Sequence, residues 1–149
     1  MKTLFDKDTH SETVERLGNL TADATRQWGK MSASQMLEHT ARAMEMATTD
    51  EVMKQALPGK LLGWMFKNKF LGEEPMPKNA PTGPDFKIAD EPDFEATRTR
   101  LLGIMDKLHT LGKGGTDGKV HRFFGTLSGK QWGETQYKHV DHHLRQFGV

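Results

Sequence analysis

Three of the seven histidines in this sequence lie within five positions of one another, in the segment "YKHVDHHLRQ" at residues 137–146. Imidazoles serve as metal ligands, as hydrogen-bonded groups at the edge of a core, or as surface residues. His139 and His143 are four residues apart, so on a helix they lie on one face, one turn apart, as two ligands of one ion do. The H-x-x-x-H spacing alone does not separate a metal site from two structural histidines.

The helix predicted around these histidines is amphipathic when its residues are placed 100° apart. Its apolar arc begins at His139 and includes His143 and Gln136, whereas His142 falls among the polar residues of the opposite face. We therefore predict that His139 and His143 face the interior and that His142 points toward water. Gln136 and Gln146 border the interior face, where they would orient a ligand ring or a bound water, or serve only as interfacial polar residues.

A third histidine, His39, lies at the edge of the apolar arc of "SQMLEHTARAMEMA", and Ala43 one turn later leaves room above its ring. With His139 and His143 it would supply three neutral imidazoles, which bind a divalent transition-metal ion and leave a fourth position for water, as in catalytic sites. No carboxylate ligand accompanies them, which argues against a di-iron site, because that site needs Glu-x-x-His pairs. A satisfied core histidine is the alternative interpretation of His39.

The remaining histidines give weaker signals. His10 lies in the N-terminal region, and His109 ends a predicted helix, where a cation favours the helix dipole. His121 opens the segment "HRFFGTLSG" and is predicted to be a loop residue that caps backbone groups. A place for His121 in the pocket is the alternative.

Four segments of the sequence have the apolar periodicity of amphipathic helices and would position these side chains. They are residues 9–19, a segment that begins at Ser32, residues 91–111 and residues 129–147. Ser32 with Gln35, and Ser128 with Gln131, fit the S-x-x-Q capping box of a helix start, and Gly112 is predicted to end the third helix. Alternating β-branched runs are nearly absent. The sequence therefore predicts an all-α fold.

A long connection, residues 54–90, joins the second and third helices, and all six prolines of the chain lie between Pro58 and Pro92. Four helices with one long connection between the middle pair predict a four-helix bundle with a crossover. Within the connection, "LLGWMFKNKFLG" is predicted to form a short helix docked on the bundle; a lid over a site and a membrane-surface segment are the alternatives. Its large apolar residues are predicted to be buried: Leu62, Trp64, Met65 and Phe66.

Composition narrows the class of protein further. A length of 149 residues suits one domain, residues 1–149. Because 21 Lys and Arg nearly balance 20 Asp and Glu and form no basic block, we expect no nucleic-acid partner. The absence of cysteine excludes disulfides, thiolate zinc sites and a cysteine nucleophile. The N-terminal segment has no apolar run typical of a signal peptide, and no stretch approaches the roughly 20 apolar residues of a membrane span, so we expect a cytoplasmic protein without a membrane partner.

The arrangement of one histidine in the second helix and H-x-x-x-H-x-x-Q in the last, here His39, His139, His143 and Gln146, resembles the DinB/YfiT-like superfamily. Longer stretches are similar to a subfamily of uncharacterised bacterial DinB-like proteins, namely "LFD", "WGKMSASQMLEH" at 28–39 and "HRFFGTLSGKQWGETQYKHVDHHLRQFG" at 121–148. The resemblance spans nearly the whole chain. Arg122 departs from it, since proline is expected after the histidine there, which leaves the turn and any role of His121 open.

This resemblance implies an up-down-down-up order of the four helices and a three-histidine site for nickel, zinc or a similar divalent ion. It also implies a homodimer and a small-molecule substrate, because characterised relatives include transferases and isomerases that use low-molecular-weight thiols. The leading hypothesis is a metal-dependent thiol S-transferase, in which the metal lowers the pKa of a bound water or thiol. The alternatives are a non-catalytic metal-binding, small-molecule-binding or stress-related bundle protein, and a bundle whose histidines are only structural.

Overall fold

The computed structural model describes the backbone of residues 1–149 and all side chains except those of residues 68 and 69. The chain is mostly helical, as predicted, and carries one small antiparallel sheet. The elements are α1 (Lys7–Asn19), α2 (Ala33–Thr48), α3 (Leu57–Leu71), a 3-10 turn (Pro84–Phe86), α4 (Phe94–Thr116), β1 (Val120–His121), β2 (Gly125–Thr126) and α5 (Gly129–Gln146).

Both predicted capping boxes are confirmed, and they fix where α2 and α5 begin. The Ser32 hydroxyl accepts a hydrogen bond from the Gln35 backbone N–H while the Gln35 side chain accepts from the Ser32 N–H. Ser128 and Gln131 repeat this exchange at the start of α5. Gly112 interrupts α4 with φ of 58°, the left-handed backbone that glycine adopts without steric cost, but helical structure resumes up to Thr116. The predicted stop is therefore a kink.

The core lies where α2 packs on α4 and α5, with α1 against α4 and α5. Its largest buried side chains come from all four helices, including Leu17, Met36, Met44, Leu101, Met105, Leu108, Trp132 and Leu144. Because α2 and α5 both turn their apolar faces to this core, the histidines at the edges of those faces are brought toward each other.

The predicted helix in the connection between α2 and α4 is present as α3, but the predicted burial of its large residues is wrong. Leu62, Trp64, Met65 and Phe66 are between 38% and 72% exposed. The physical reason lies in Gly59 and Gly63, which face the turn between β1 and β2 so closely that a Cβ at either position would overlap backbone atoms of that turn. Since α3 docks through its glycine face, the large side chains lie outward. No helix in the described part of the chain combines the length and apolarity needed to cross a membrane.

This glycine contact gives a stability prediction. Gly63→Ala should weaken the attachment of α3 by about 1–3 kcal/mol, because the added methyl group collides with the Phe123 carbonyl. Gly103→Ala in α4 is the matched control, since nothing lies within 4 Å of its Cβ and alanine favours helix by roughly 0.5–1 kcal/mol. Urea unfolding combined with limited proteolysis of residues 54–90 measures both effects. Equal resistance of the two variants would show that α3 is not held by this contact.

Candidate metal centre

Two helices supply the three histidines that the sequence singles out, and the structure brings these together. His139 and His143 stand one turn apart on α5, and His39 faces them from α2. The His139 Nε2 atom lies 3.0 Å from Nε2 of His39 and 3.1 Å from Nε2 of His143. One ligand atom from each residue lies within 4.8 Å of the other two, which suits a single metal ion.

Hydrogen bonds on the far side of two rings fix their tautomers. His39 Nδ1 lies 2.9 Å from the Phe86 carbonyl oxygen, which can only accept, so Nδ1 donates. The Gln146 amide donates from Nε2 to the Trp28 carbonyl at 2.8 Å, which leaves its Oε1 to accept from His143 Nδ1, also at 2.8 Å. In the neutral rings of His39 and His143, Nε2 therefore carries a lone pair and no hydrogen.

These lone pairs produce an unsatisfied centre. Both point at His139 Nε2, which carries at most one hydrogen and can donate to only one of them. At least one of the two lone pairs therefore has no donor in the cluster, although a nitrogen lies about 3 Å away. A tetrahedral zinc-type ion with bonds of about 2.0–2.1 Å holds its nitrogen ligands roughly 3.3 Å apart, close to both separations here. The residues thus fit a divalent transition-metal ion.

Burial keeps the three rings neutral. Burial is the largest cause that lowers the pKa of His143 to about 3, with the neighbouring His39 adding to the effect. It also lowers the pKa of His139 well below its usual value and lowers that of His39. A further proton on one of these rings is therefore an unfavourable way to satisfy the lone pair that lacks a donor, and at neutral pH the rings have the form that binds metal.

The two glutamines predicted near the site have different roles. Gln146 holds the ring of His143 and is itself anchored on the Trp28 carbonyl. Gln136 is buried, and in the described part of the chain its amide makes one hydrogen bond, from Nε2 to the Ala43 carbonyl at 3.3 Å. Its Oε1 is buried without a partner among the described residues. Gln146, and not Gln136, is the glutamine that orients a ring of the cluster.

A cavity of about 360 Å³ opens over the three histidines. Its walls come from the loop before α2, from the end of α3 and from the segment between α3 and α4. The periodicity of the sequence marks none of these as part of a site. The apolar lining includes Trp28, Met31, Phe70, Met76 and Phe86.

His142 lines this cavity, so the prediction that it points toward water is wrong. Its ring centre lies 5.1 Å from that of His143 and 5.6 Å from that of Trp28, although it is not one of the three converging residues. The reason is that the connection between α2 and α4 covers this side of α5. Lys138 on the same side is also buried, and its Nζ donates to the Phe70 and Gly72 carbonyls at the end of α3.

The capping role predicted for His121 is confirmed. Its Nδ1 accepts hydrogen bonds from the backbone N–H groups of Phe123 and Phe124, both at 3.1 Å, and its ring stacks on Phe124. Burial lowers its pKa to about 4, with the charge of Lys67 as a smaller cause. His121 is not among the described residues that line the cavity.

The departure at Arg122 supports the site from a distance. Its guanidinium forms an ion pair with Asp85 at 2.7 Å, and Asp85 lies in the 3-10 turn Pro84–Phe86 that presents the Phe86 carbonyl to His39. The sequence carries no local signal of this pair, because its partners are 37 positions apart.

Gln146 gives a prediction about metal affinity. Gln146→Leu should weaken zinc binding by about 10–100-fold, the usual effect of removing a group that orients a ligand ring. Gln146→Glu should retain more affinity, since a carboxylate still accepts from His143 Nδ1 but cannot donate to the Trp28 carbonyl. Competition with a chelating dye measures both constants, and Gln27→Leu on the exposed surface serves as control. Unchanged affinity in Gln146→Leu would exclude a role for this residue in the site.

Searches of curated proteins and of solved structures give no match to this chain. The family described as "Protein of unknown function (DUF1569)" matches residues 3–148, which contain all three converging histidines and both capping boxes. Because the match covers nearly the whole chain, the protein belongs to the DUF1569 family.

Proposed function

We propose that this protein binds one divalent transition-metal ion through Nε2 of His39, His139 and His143, at the floor of the cavity. The observation that carries the proposal is that the unprotonated Nε2 atoms of His39 and His143 both approach the single Nε2 of His139, which can donate to only one of them. A cation between the three nitrogens would satisfy both lone pairs. Imidazole ligands suit zinc, nickel, copper and iron, and we favour nickel or zinc.

The residues around the cluster support a reactive site rather than a closed structural one. Three protein ligands leave a coordination position open toward the cavity, and when bound the ion would supply Lewis acidity to a molecule in that position. The Phe86 carbonyl and Gln146 hold two rings in fixed orientations, and the lining of the cavity is largely apolar.

We extend the proposal to the fold and the reaction. The packing of α1, α2, α4 and α5 around one core supports a DinB-like four-helix bundle in up-down-down-up order, with α3 in the crossover. Within that superfamily, the enzymatic form of the proposal is a thiol S-transferase. The chain contains no cysteine, so the thiol would be an external low-molecular-weight compound. The second candidate is a metal-binding or small-molecule-binding protein without catalysis, which the same cavity supports.

The metal proposal is tested by calorimetric titration of untagged, chelator-treated protein with zinc and nickel at pH 7.5. We expect one ion per chain and little proton release, since the rings are neutral beforehand. The absence of any binding heat from zinc or nickel would overturn the proposal. An unchanged metal affinity in a His39→Ala variant would also overturn it.

The two candidate functions differ in turnover. The metal-loaded protein is mixed with a low-molecular-weight thiol and a panel of electrophiles, and loss of free thiol is followed. A transferase forms a carbon–sulfur bond, expels the leaving group of the electrophile and releases the thiol proton. Metal binding without any accelerated loss of thiol favours the non-catalytic candidate.

A further inference from the structure

We infer that the cavity over the three histidines accepts a small molecule with an apolar body and one anionic group, of the class of aryl and alkyl carboxylates. This inference rests on the proposed metal site and names the chemistry of the molecule that would occupy its open side. It follows from the charges, the walls and the size of the cavity.

The described side chains that line the cavity carry positive charge and no negative charge. Among the described residues that line it, the only side chain charged at neutral pH is Lys30, and no carboxylate is present. Asp85 and Asp141 are neighbours in sequence of residues that line the cavity, and both already form ion pairs. Asp85 binds Arg122, and Asp141 binds both Arg16 and Arg145. No acidic group of the lining is therefore available to compensate a cation in the cavity.

The proposed ligand set increases this imbalance. Three neutral imidazoles leave both positive charges of a divalent ion uncompensated, whereas many metal sites include a carboxylate or thiolate that offsets part of the charge. In a largely buried place such a charge is costly unless it is paired. An anionic group on the incoming molecule would supply the missing negative charge.

A second cation lies in a surface groove that adjoins the cavity. Lys78 Nζ lies 4.3 Å from the centre of the Trp28 ring, and Trp28 lines both the cavity and an adjoining surface groove that includes Lys78. Neither Lys30 nor Lys78 forms an ion pair in the part of the chain that the structure describes. Two ammonium groups without an ion pair among the described residues, one in the lining and one in the adjoining groove, attract anions and raise their local concentration.

The walls favour an apolar body of limited size. A volume of about 360 Å³ is at the lower end of cavities that bind small molecules. The side chains of Met31, Phe70, Met76 and Phe86 provide apolar contact area. Asn79 also lines the cavity, and its backbone has φ of 58°, a left-handed conformation that asparagine tolerates better than most residues. Its amide adds a polar group to a lining that is otherwise largely apolar.

The experiment uses the full-length protein loaded with cobalt(II), whose visible absorption reports on groups that enter the metal site. Benzoate is compared with benzamide, which has the same ring without the charge, and with acetate, which has the charge without the ring. We expect benzoate to change the cobalt spectrum with at least tenfold higher affinity than either comparison compound. Quenching of tryptophan fluorescence, through Trp28, provides a second readout.

Variants test the two lysines. The double variant Lys30→Ala and Lys78→Ala should bind benzoate about fivefold to tenfold more weakly and leave cobalt affinity within twofold. Lys130→Ala, at the start of α5 and away from the cavity, is the matched control and should bind benzoate as the unchanged protein does. Benzoate affinity that is equal in the double variant and the control would overturn the assignment of these lysines.

The outcomes separate this inference from the proposed function. If the unchanged protein binds no cobalt, the metal proposal fails, and this inference fails with it. If cobalt binds at the three histidines but benzoate and benzamide bind alike, the metal proposal stands and the inference about an anionic ligand is overturned.

Discussion

His139→Ala is expected to abolish divalent-metal binding, and we expect no other single substitution in the chain to have a larger effect on it. His139 Nε2 is the atom that the other two ligand nitrogens approach, at 3.0 Å and 3.1 Å. Without it, only the rings of His39 and His143 remain, on different helices and with their centres 4.9 Å apart. Two imidazoles would then have to hold the ion alone.

The size of the effect follows from the strength of such sites. Zinc bound by four protein ligands is stabilised by roughly 10–16 kcal/mol, so one ligand contributes about 2.5–4 kcal/mol. Its loss lowers the affinity by about two to three powers of ten. Calorimetry at micromolar protein should then show no saturable binding by His139→Ala. Circular dichroism of the variant checks that its helices are retained.

His142→Ala is the matched control, because His142 lies three positions along the same helix and lines the same cavity without joining the cluster. Its metal affinity should stay within a few-fold of that of the unchanged protein. If both variants lose binding equally, the ion is held elsewhere or His142 replaces one of the three ligands.

The helical parts of the site can be predicted from sequence because their causes are local. A capping box sets the start of α2 and of α5, and the 3.6-residue period then sets which face each histidine occupies. These two rules are enough to place His39, His139 and His143 at one interior edge. Neither rule needs information about distant parts of the chain.

The other parts of the site depend on segments whose sequences show no helical or strand periodicity. The Trp28 and Phe86 carbonyls that orient the cluster belong to the loop before α2 and to the 3-10 turn Pro84–Phe86. This turn makes long-range contacts such as the Arg122–Asp85 ion pair. The connection between α2 and α4 covers one side of α5, and this contact joins distant parts of the chain. The helical period alone therefore wrongly places His142 toward water. On α3 the glycine face, not the apolar face, makes the contact, so a rule based on hydrophobicity places its large residues on the wrong side.

Acid should destabilise the metal-free protein strongly between pH 7.5 and 5.5. Six of the seven histidines have a lowered pKa, with burial as the largest cause in each case: His10, His39, His121, His139, His142 and His143. A histidine with a lowered pKa in the folded protein binds its proton more readily in the unfolded chain. Its contribution to stability is therefore complete above the unfolded value of 6.5 and is lost progressively as the pH falls from there toward the folded pKa.

The expected loss can be bounded from His121, with a folded pKa of about 4, and His143, with a folded pKa of about 3. Between pH 7.5 and 5.5 each should lower the free energy of unfolding by about 1.4 kcal/mol, and the other buried histidines act in the same direction. This pH window lies above the usual carboxylate range, so histidines dominate the change. Urea unfolding of chelator-treated protein across the window measures the slope.

His121→Asn isolates one of these groups without touching the three converging histidines. The asparagine oxygen can still accept from the backbone N–H groups of Phe123 and Phe124, whereas its side chain does not titrate. Loss of the stacked ring lowers stability by an amount that does not depend on pH. The difference in stability between the variant and the unchanged protein should therefore shrink by about 1.4 kcal/mol when the pH falls from 7.5 to 5.5. A difference that stays constant over this range would mean that His121 binds its proton equally well in the folded and unfolded chain, against the burial that the structure gives it.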